Sequence, residues 1–175
     1  MSIMNTIKIR KSVRAYITDK EINATDLNTI LEAGRLAPSA KNMQEWKFLV
    51  IRDKKIMAQL VPMCRDQKFI AQASAVILGC SDQPDYIMMC GQNAYTVDLS
   101  ISTEHMSLMA AELGIGSCWI GSFSEETVKE LLNIPSKVRI VSMLTLGYPV
   151  QDLKTIVTTT RKHLEEIVCY DKWNF

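Results

Sequence analysis

The spacing of hydrophobic positions changes along the chain, and each change predicts an element. Ile3 and Ile7 lie four apart and predict a short helix over 3–9. Leu27, Ile30 and Leu31 follow at helical spacing behind Asn23, an N-cap with Asp26 three residues on. Pro38 disfavours helix at Ala37, so that helix ends near "APS". "WKFLVIRD", 46–53, alternates and is rich in large and branched apolar residues, which predicts a strand, and 54–61 predicts a helix. "SAVILGCS", 74–81, is a continuous apolar run between polar residues, which suits a buried strand. The longest helix is predicted from Gln92 to Leu113, with Val97, Ile101, Met106, Met109, Ala110 and Leu113 as its apolar stripe and Gly114 as its stop. "SCWIGS", 117–122, reads as strand or loop. Ser124 before Glu125 and Glu126 reads as a helix start, and "VRIVSMLTLGYP", 138–149, as a strand closed by Gly and Pro.

No linker, repeat or low-complexity tract divides the sequence, so residues 1–175 form one expected domain. Helices and strands are mixed without regular βαβ alternation, which favours an α+β domain, a sheet wrapped by helices. Beyond Pro149 no strong core pattern returns until "HLEEIV". The segment from about 150 to 175 is expected to be an extension packed on a second subunit.

Composition narrows the partners. Lys+Arg is 20 and Asp+Glu is 19, so no global field attracts nucleic acid, and anion binding must be local. No apolar run reaches the ~20 residues that span a bilayer. The five cysteines are odd in number and lack C-x-x-C spacing, and no leader is evident. They read as reduced thiols in a cytoplasmic protein. His105 and His163 are the only histidines, a poor supply for a metal site, and none is assigned.

Four stretches could carry chemistry. "RKSVRAY", 10–16, holds Arg10, Lys11 and Arg14 around Ser12. Whether the stretch is extended or helical, Arg10 and Arg14 share a side. Two guanidiniums and a hydroxyl suit a phosphate; the same residues also suit a solvated basic patch. "APSAKNMQEW", 37–46, places Pro38, Ser39, Asn42 and Gln44 between a helix and a strand, where amides could read a planar heterocycle or merely form turns. "GIGSCWIGSF", 114–123, has glycines that let backbone approach a ligand, yet lacks the Rossmann and P-loop patterns. Arg161 and Lys162 form a basic pair in the tail.

In this order, the four stretches resemble the nitroreductase family. The resemblance runs over an Arg-[Arg/Lys]-Ser-x-Arg start, an A-P-S-x-x-N-x-Q-x-W loop, a G-[IL]-G-x-C-W-[IV]-G segment after a long helix, and an L-G-Y-P strand end followed by a basic pair. It covers residues 3 to 168. It implies a central, mostly antiparallel sheet wrapped by helices, in an intertwined homodimer with FMN at the interface. Electrons would pass from NADH or NADPH to a nitroaromatic or quinone-like acceptor in a two-step exchange. It implies that Arg10, Lys11, Ser12 and Arg14 hold the phosphate, ribityl chain and pyrimidine edge. Pro38, Ser39, Asn42 and Gln44 would line the isoalloxazine, some from the opposite subunit. Trp119, Ile120 and Gly121 would lie along the ring, and Arg161 with Lys162 would close over the phosphate. No side chain need act as nucleophile, so no catalytic residue is assigned. A same-fold reductive dehalogenase or flavin-consuming enzyme, a flavin-binding sensor without turnover, and a plain anion binder are the alternatives. The sequence departs from the family at Glu45, where proline is usual, and in the short stretch from Asp82 to Gly91, where larger members have a lid.

Overall fold

A computed structural model describes residues 2–156 and 161–174 of the chain. Helix α1 (Ile3–Ile9) starts at Ser2, whose hydroxyl accepts the Asn5 N–H. Helix α2 (Ala24–Arg35) is capped by Asn23, which accepts the Asp26 N–H at 2.8 Å. Strand β1 (Trp46–Ile51) is two residues shorter than the expected 46–53, because Asp53 leaves it to cap α3 (Lys54–Met63). A single turn, α4 (Phe69–Gln72), precedes β2 (Ala75–Ser81). Ser74 stays outside the strand; its hydroxyl accepts the Ile22 N–H and donates to Glu21. Then come α5 (Ala94–Glu112), β3 (Gly116–Ile120), α6 (Glu125–Leu132) and β4 (Arg139–Gly147).

The strands form one fully antiparallel sheet in the order β1-β2-β4-β3. On one face Val76, Leu78, Cys80 and Met143 pack with Met57, Leu60, Ile70 and Val128 of α3, α4 and α6. On the other, Ile77, Leu144 and Leu146 pack with Leu27, Ile30, Met106 and Ala110 of α2 and α5. Helices therefore cover both faces, and every residue of β2 is buried. That is why β2 reads as an unbroken apolar run. The α+β expectation holds.

Helix α5 departs from its expected stripe. Val97 is exposed and Ile101 half-buried, while Asp98, Ser102, Thr103 and Ser107 are buried. Small hydroxyl residues let the helix lie close, and their protons find partners. The Ser102 hydroxyl donates to Gly34 O at 2.8 Å, and Thr103 and Ser142 hydroxyls meet at 2.9 Å. A side chain at Gly34 would collide with Met106, only 2.8 Å from the Cβ position. Ser124 begins α6 as expected, but its side chain makes no capping bond. In the tail, "HLEEIV" forms only a 3-10 turn at Leu164–Glu166, with Leu164 and Ile167 exposed. Among the described residues no helix is long and apolar enough to cross a membrane.

Candidate functional site

The segment 10–16 is built onto the outer edge of the sheet. Val13 N–H donates to Ser117 O at 2.8 Å, and Ser12 bridges Ser117 in parallel. Farther on, Ile17 N–H donates to Tyr148 O, and Tyr16 bridges Pro149. Two glycines make the room. A Cβ on Gly116 would stand 2.8 Å from Val13 Cγ2, and one on Gly147 would stand 2.7 Å from the Tyr16 ring. The space at Gly116 is thus taken by the chain itself, against the expectation that it admits a ligand. Gly114 has φ +73 and turns the chain out of α5, whereas a Cβ on Gly121 would meet nothing within 4 Å.

With Val13 and Tyr16 held inward, Ser12 and Arg14 face solvent, as the extended reading required. The Tyr16 hydroxyl donates to Val13 O at 2.9 Å and lies 2.8 Å from Thr145 Oγ1; burial pushes its pKa far up, so it stays a proton carrier. Arg10, the C-cap of α1, pairs with Glu104 of α5 at 3.4 Å. Ser12, Val13, Arg14 and Ala15 form one wall of a cleft of about 290 Å³, opposite Pro149, Val150, Gln151 and Ile156. Arg161 and Lys162 are exposed.

Strand β3 is the sheet edge beside this segment. Trp119 is one-third exposed, but the Ile120 side chain is buried in the core, so only its backbone can face a ligand. Cys118 points the same way as Ile120. Burial pushes its thiol up, which Arg14 and Arg10 only partly offset. It is packed as a small hydrophobe, not poised as a nucleophile.

The second group stands elsewhere. Ser39 Oγ accepts the Gln44 N–H at 3.0 Å, and Gln44 Nε2 donates to Asn42 O. Lys41, Asn42 and Gln44 have φ of 52, 56 and 50, left-handed values that cost each such residue roughly 1 kcal/mol or more. The loop is held from behind by Asp98, which accepts the Ala40 N–H at 2.9 Å. Pro38 and Gln44 are exposed. The loop leads into β1, the opposite edge of the sheet from β3. Three inter-strand steps, about 14 Å, separate those edges. The structure brings Ser12 against Ser117 of β3, with Arg10 and Arg14 near Cys118, and Pro38, Ser39, Asn42 and Gln44 to one another. It does not bring the two groups together within one chain.

Comparison with known proteins fits this architecture. The pattern described as Nitroreductase family matches residues 7–95 and 91–148. The chain belongs to the nitroreductase family. An Archaeoglobus fulgidus protein, named as a candidate NADH dehydrogenase/NAD(P)H nitroreductase, is 33% identical over 174 residues, spanning 97% of this chain and 98% of that one. The oxygen-insensitive NADPH nitroreductase of Salmonella typhimurium is 28% identical over 157 residues, 82% of this chain and 65% of that protein. The crystal structure of a nitroreductase family protein from Clostridium difficile 630 superposes with TM-score 0.83 at 28% identity, covering 99% of this chain and all of that one. The nitroreductase fold is therefore shown, and the protein is an oxidoreductase of that family.

Sequence reasoning missed the supporting residues. Asp98 and Glu104 were hidden in a helix read for its apolar stripe. Nothing in the spacing says that Val13 fills the room above Gly116 and Tyr16 that above Gly147. An aspartate inside an apolar stripe was the one available signal.

Proposed function

We propose that the protein is an FMN-dependent NAD(P)H oxidoreductase acting as a homodimer on small aromatic nitro or quinone-like acceptors. The observation that carries this is that Ser12 and Arg14 are exposed and fixed against Ser117 of the β3 edge, on the wall of the cleft that faces Pro149 and Gln151. Its donor set fits a phosphate ester: a hydroxyl, guanidiniums and an ammonium. Bound FMN would supply the two-electron chemistry, accepting a hydride from NADH or NADPH and passing it to the acceptor in turn. Ser12, Lys11 and one arginine would hold the phosphate, with Arg161 and Lys162 closing over it. The other of Arg10 and Arg14 would face the pyrimidine edge and neutralise negative charge there. The backbone of Trp119, Ile120 and Gly121 would run along the ring.

The loop with Pro38, Ser39, Asn42 and Gln44 would line the ring from a second copy of the chain. An apolar groove of about 500 Å³ supports that pairing. It is lined by Ile3, Leu36, Leu108 and Met109 from α1, α2 and α5. Ile3, Met4, Ile7 and Leu36 are all exposed, more apolar surface than a lone helix layer usually shows. The exposed Tyr170 and Trp173 suit an extension that packs on the partner. Free thiols at Cys64, Cys80, Cys90, Cys118 and Cys169 suit the cytoplasm.

The test is optical. Purified protein should be yellow, bleach with NADH or NADPH under nitrogen, and recover colour on adding a nitroaromatic. Colourless protein that cannot be reconstituted with FMN sinks the reading. Bleaching without recovery would leave a flavin-binding protein and no turnover on that acceptor.

A further inference from the structure

Glu45 is 2% exposed and Asp98 3%, and neither Glu45 oxygen takes a hydrogen bond from a donor of another residue; only its own backbone N–H is near. The two carboxyls face each other within hydrogen-bonding reach, a contact that bonds only when one carries a proton. Asp98 is committed on its other side: its Oδ2 accepts the Ala40 N–H. Trp46 pairs with Ser81 across β1 and β2, which sets Asp82 opposite Glu45. Asp82 Oδ1 is buried without a partner, and its Oδ2 lies 3.6 Å from Lys47 Nζ. The other cations nearby are engaged: Lys41 over the Tyr86 ring, and Arg139 with Glu125 and over the Tyr95 ring. Glu45 thus meets two carboxyls and no cation that pairs with it. A buried carboxylate so placed is far costlier than the neutral acid.

We propose that Glu45 keeps its proton and donates it to Asp98, and that this bond braces the strained loop 38–44 from behind. Glu45 and Asp98 are then positioning residues for the loop that the proposed function lays against flavin, and the inference rests on that reading for its effect on FMN. Burial first, with Asp98 and Asp82 adding to it, moves Glu45 upward from the ordinary carboxyl range, and its own backbone N–H only partly offsets them. Its folded value exceeds its unfolded value, so the stabilisation is complete at acid pH and is lost as pH rises through the folded value. Loss of the proton sets two buried charges against each other and pushes on the loop. A proline cannot do this, so the device belongs to this chain's departure from the family.

Glu45→Gln donates an amide N–H to Asp98 at every pH. Melting temperatures of the full chain and of E45Q, without FMN, should therefore diverge as pH rises from about 5 to about 9, the wild type falling away. Over the same range wild-type FMN affinity should weaken roughly tenfold, the equivalent of one pKa unit, while that of E45Q stays level. Asp98→Asn removes the opposing charge and should also flatten the wild-type dependence, which provides the answer if E45Q fails to fold. A constant difference in melting temperature across pH means that Glu45 only packs, and overturns the inference. Diverging melting curves with no FMN retained at any pH support the shared proton and overturn the flavin assignment instead.

Discussion

Val13 occupies the space that any side chain on Gly116 would need: its Cγ2 lies 2.8 Å from the Cβ position. The contact fixes the basic segment against β3 through sterics, while the Val13–Ser117 hydrogen bond fixes its register. Gly116→Ala should cost about 1–3 kcal/mol, as overpacking does, and loosen FMN binding with it. Val13→Ala in the same chain should recover much of the loss, because the two residues are coupled. Thermal melts of the two single mutants and the double mutant read this directly, and additive losses would refute the coupling.

Removing both guanidiniums, Arg10→Ala with Arg14→Ala, should weaken FMN retention by tenfold or more. Charge-assisted hydrogen bonds contribute about 1.5–3 kcal/mol each. Gel filtration followed by flavin absorbance measures it. Full flavin occupancy in the double mutant would remove the phosphate assignment.

Cys118 should be replaceable. Its thiol is buried and held protonated. Cys118→Ala should keep flavin and NAD(P)H oxidation, and an alkylating reagent at neutral pH should spare Cys118 in the folded protein. Rapid labelling at this position, read by mass spectrometry, would contradict the packing.

Glu125 gives a pH-dependent stability term. Burial would raise its carboxyl, but Arg139, Lys129 and the Ile140 N–H outweigh that and hold it at about 2. With the folded value below the unfolded one, its stabilisation is present above the ordinary Glu range and lost as pH falls through about 2. Glu125→Gln should cost on the order of 2 kcal/mol at neutral pH, from the size of the shift. The difference should vanish in strong acid. Denaturant melts at several pH values test it.

Charging the apolar helix face should break the proposed pair. Ile7→Glu or Leu36→Glu introduces a carboxylate at an exposed apolar position, so the fold should survive. Sedimentation should report a monomer, and flavin should be lost. A dimer with bound flavin would exclude that face as the interface.

The elements were legible wherever one periodicity ran long enough. Leu27, Ile30 and Leu31 revealed α2, and the unbroken run of β2 revealed a buried strand, which the structure covers on both faces. The α5 stripe was not legible, because Ser102, Thr103 and Ser107 are polar in the sequence yet buried in the fold, with hydrogen bonds formed across elements. The site was legible as a set of motifs in order. Its geometry was not, because Gly116 looks like a ligand-binding glycine and instead receives Val13, and Gly147, read only as a strand end, receives Tyr16. Glu45 stood out in the sequence as a departure, but only the structure shows that it is buried against Asp98.

The placement of the two motif groups on opposite edges of one sheet has a thermodynamic consequence. If a full ring site needs β1's loop from one copy and β3's edge from another, flavin binding and subunit association are linked equilibria. Whatever factor the cofactor adds to dimer affinity, dimerisation must add to cofactor affinity. Dilution should then shed flavin, and excess flavin should hold together a dimer that dilution alone would split.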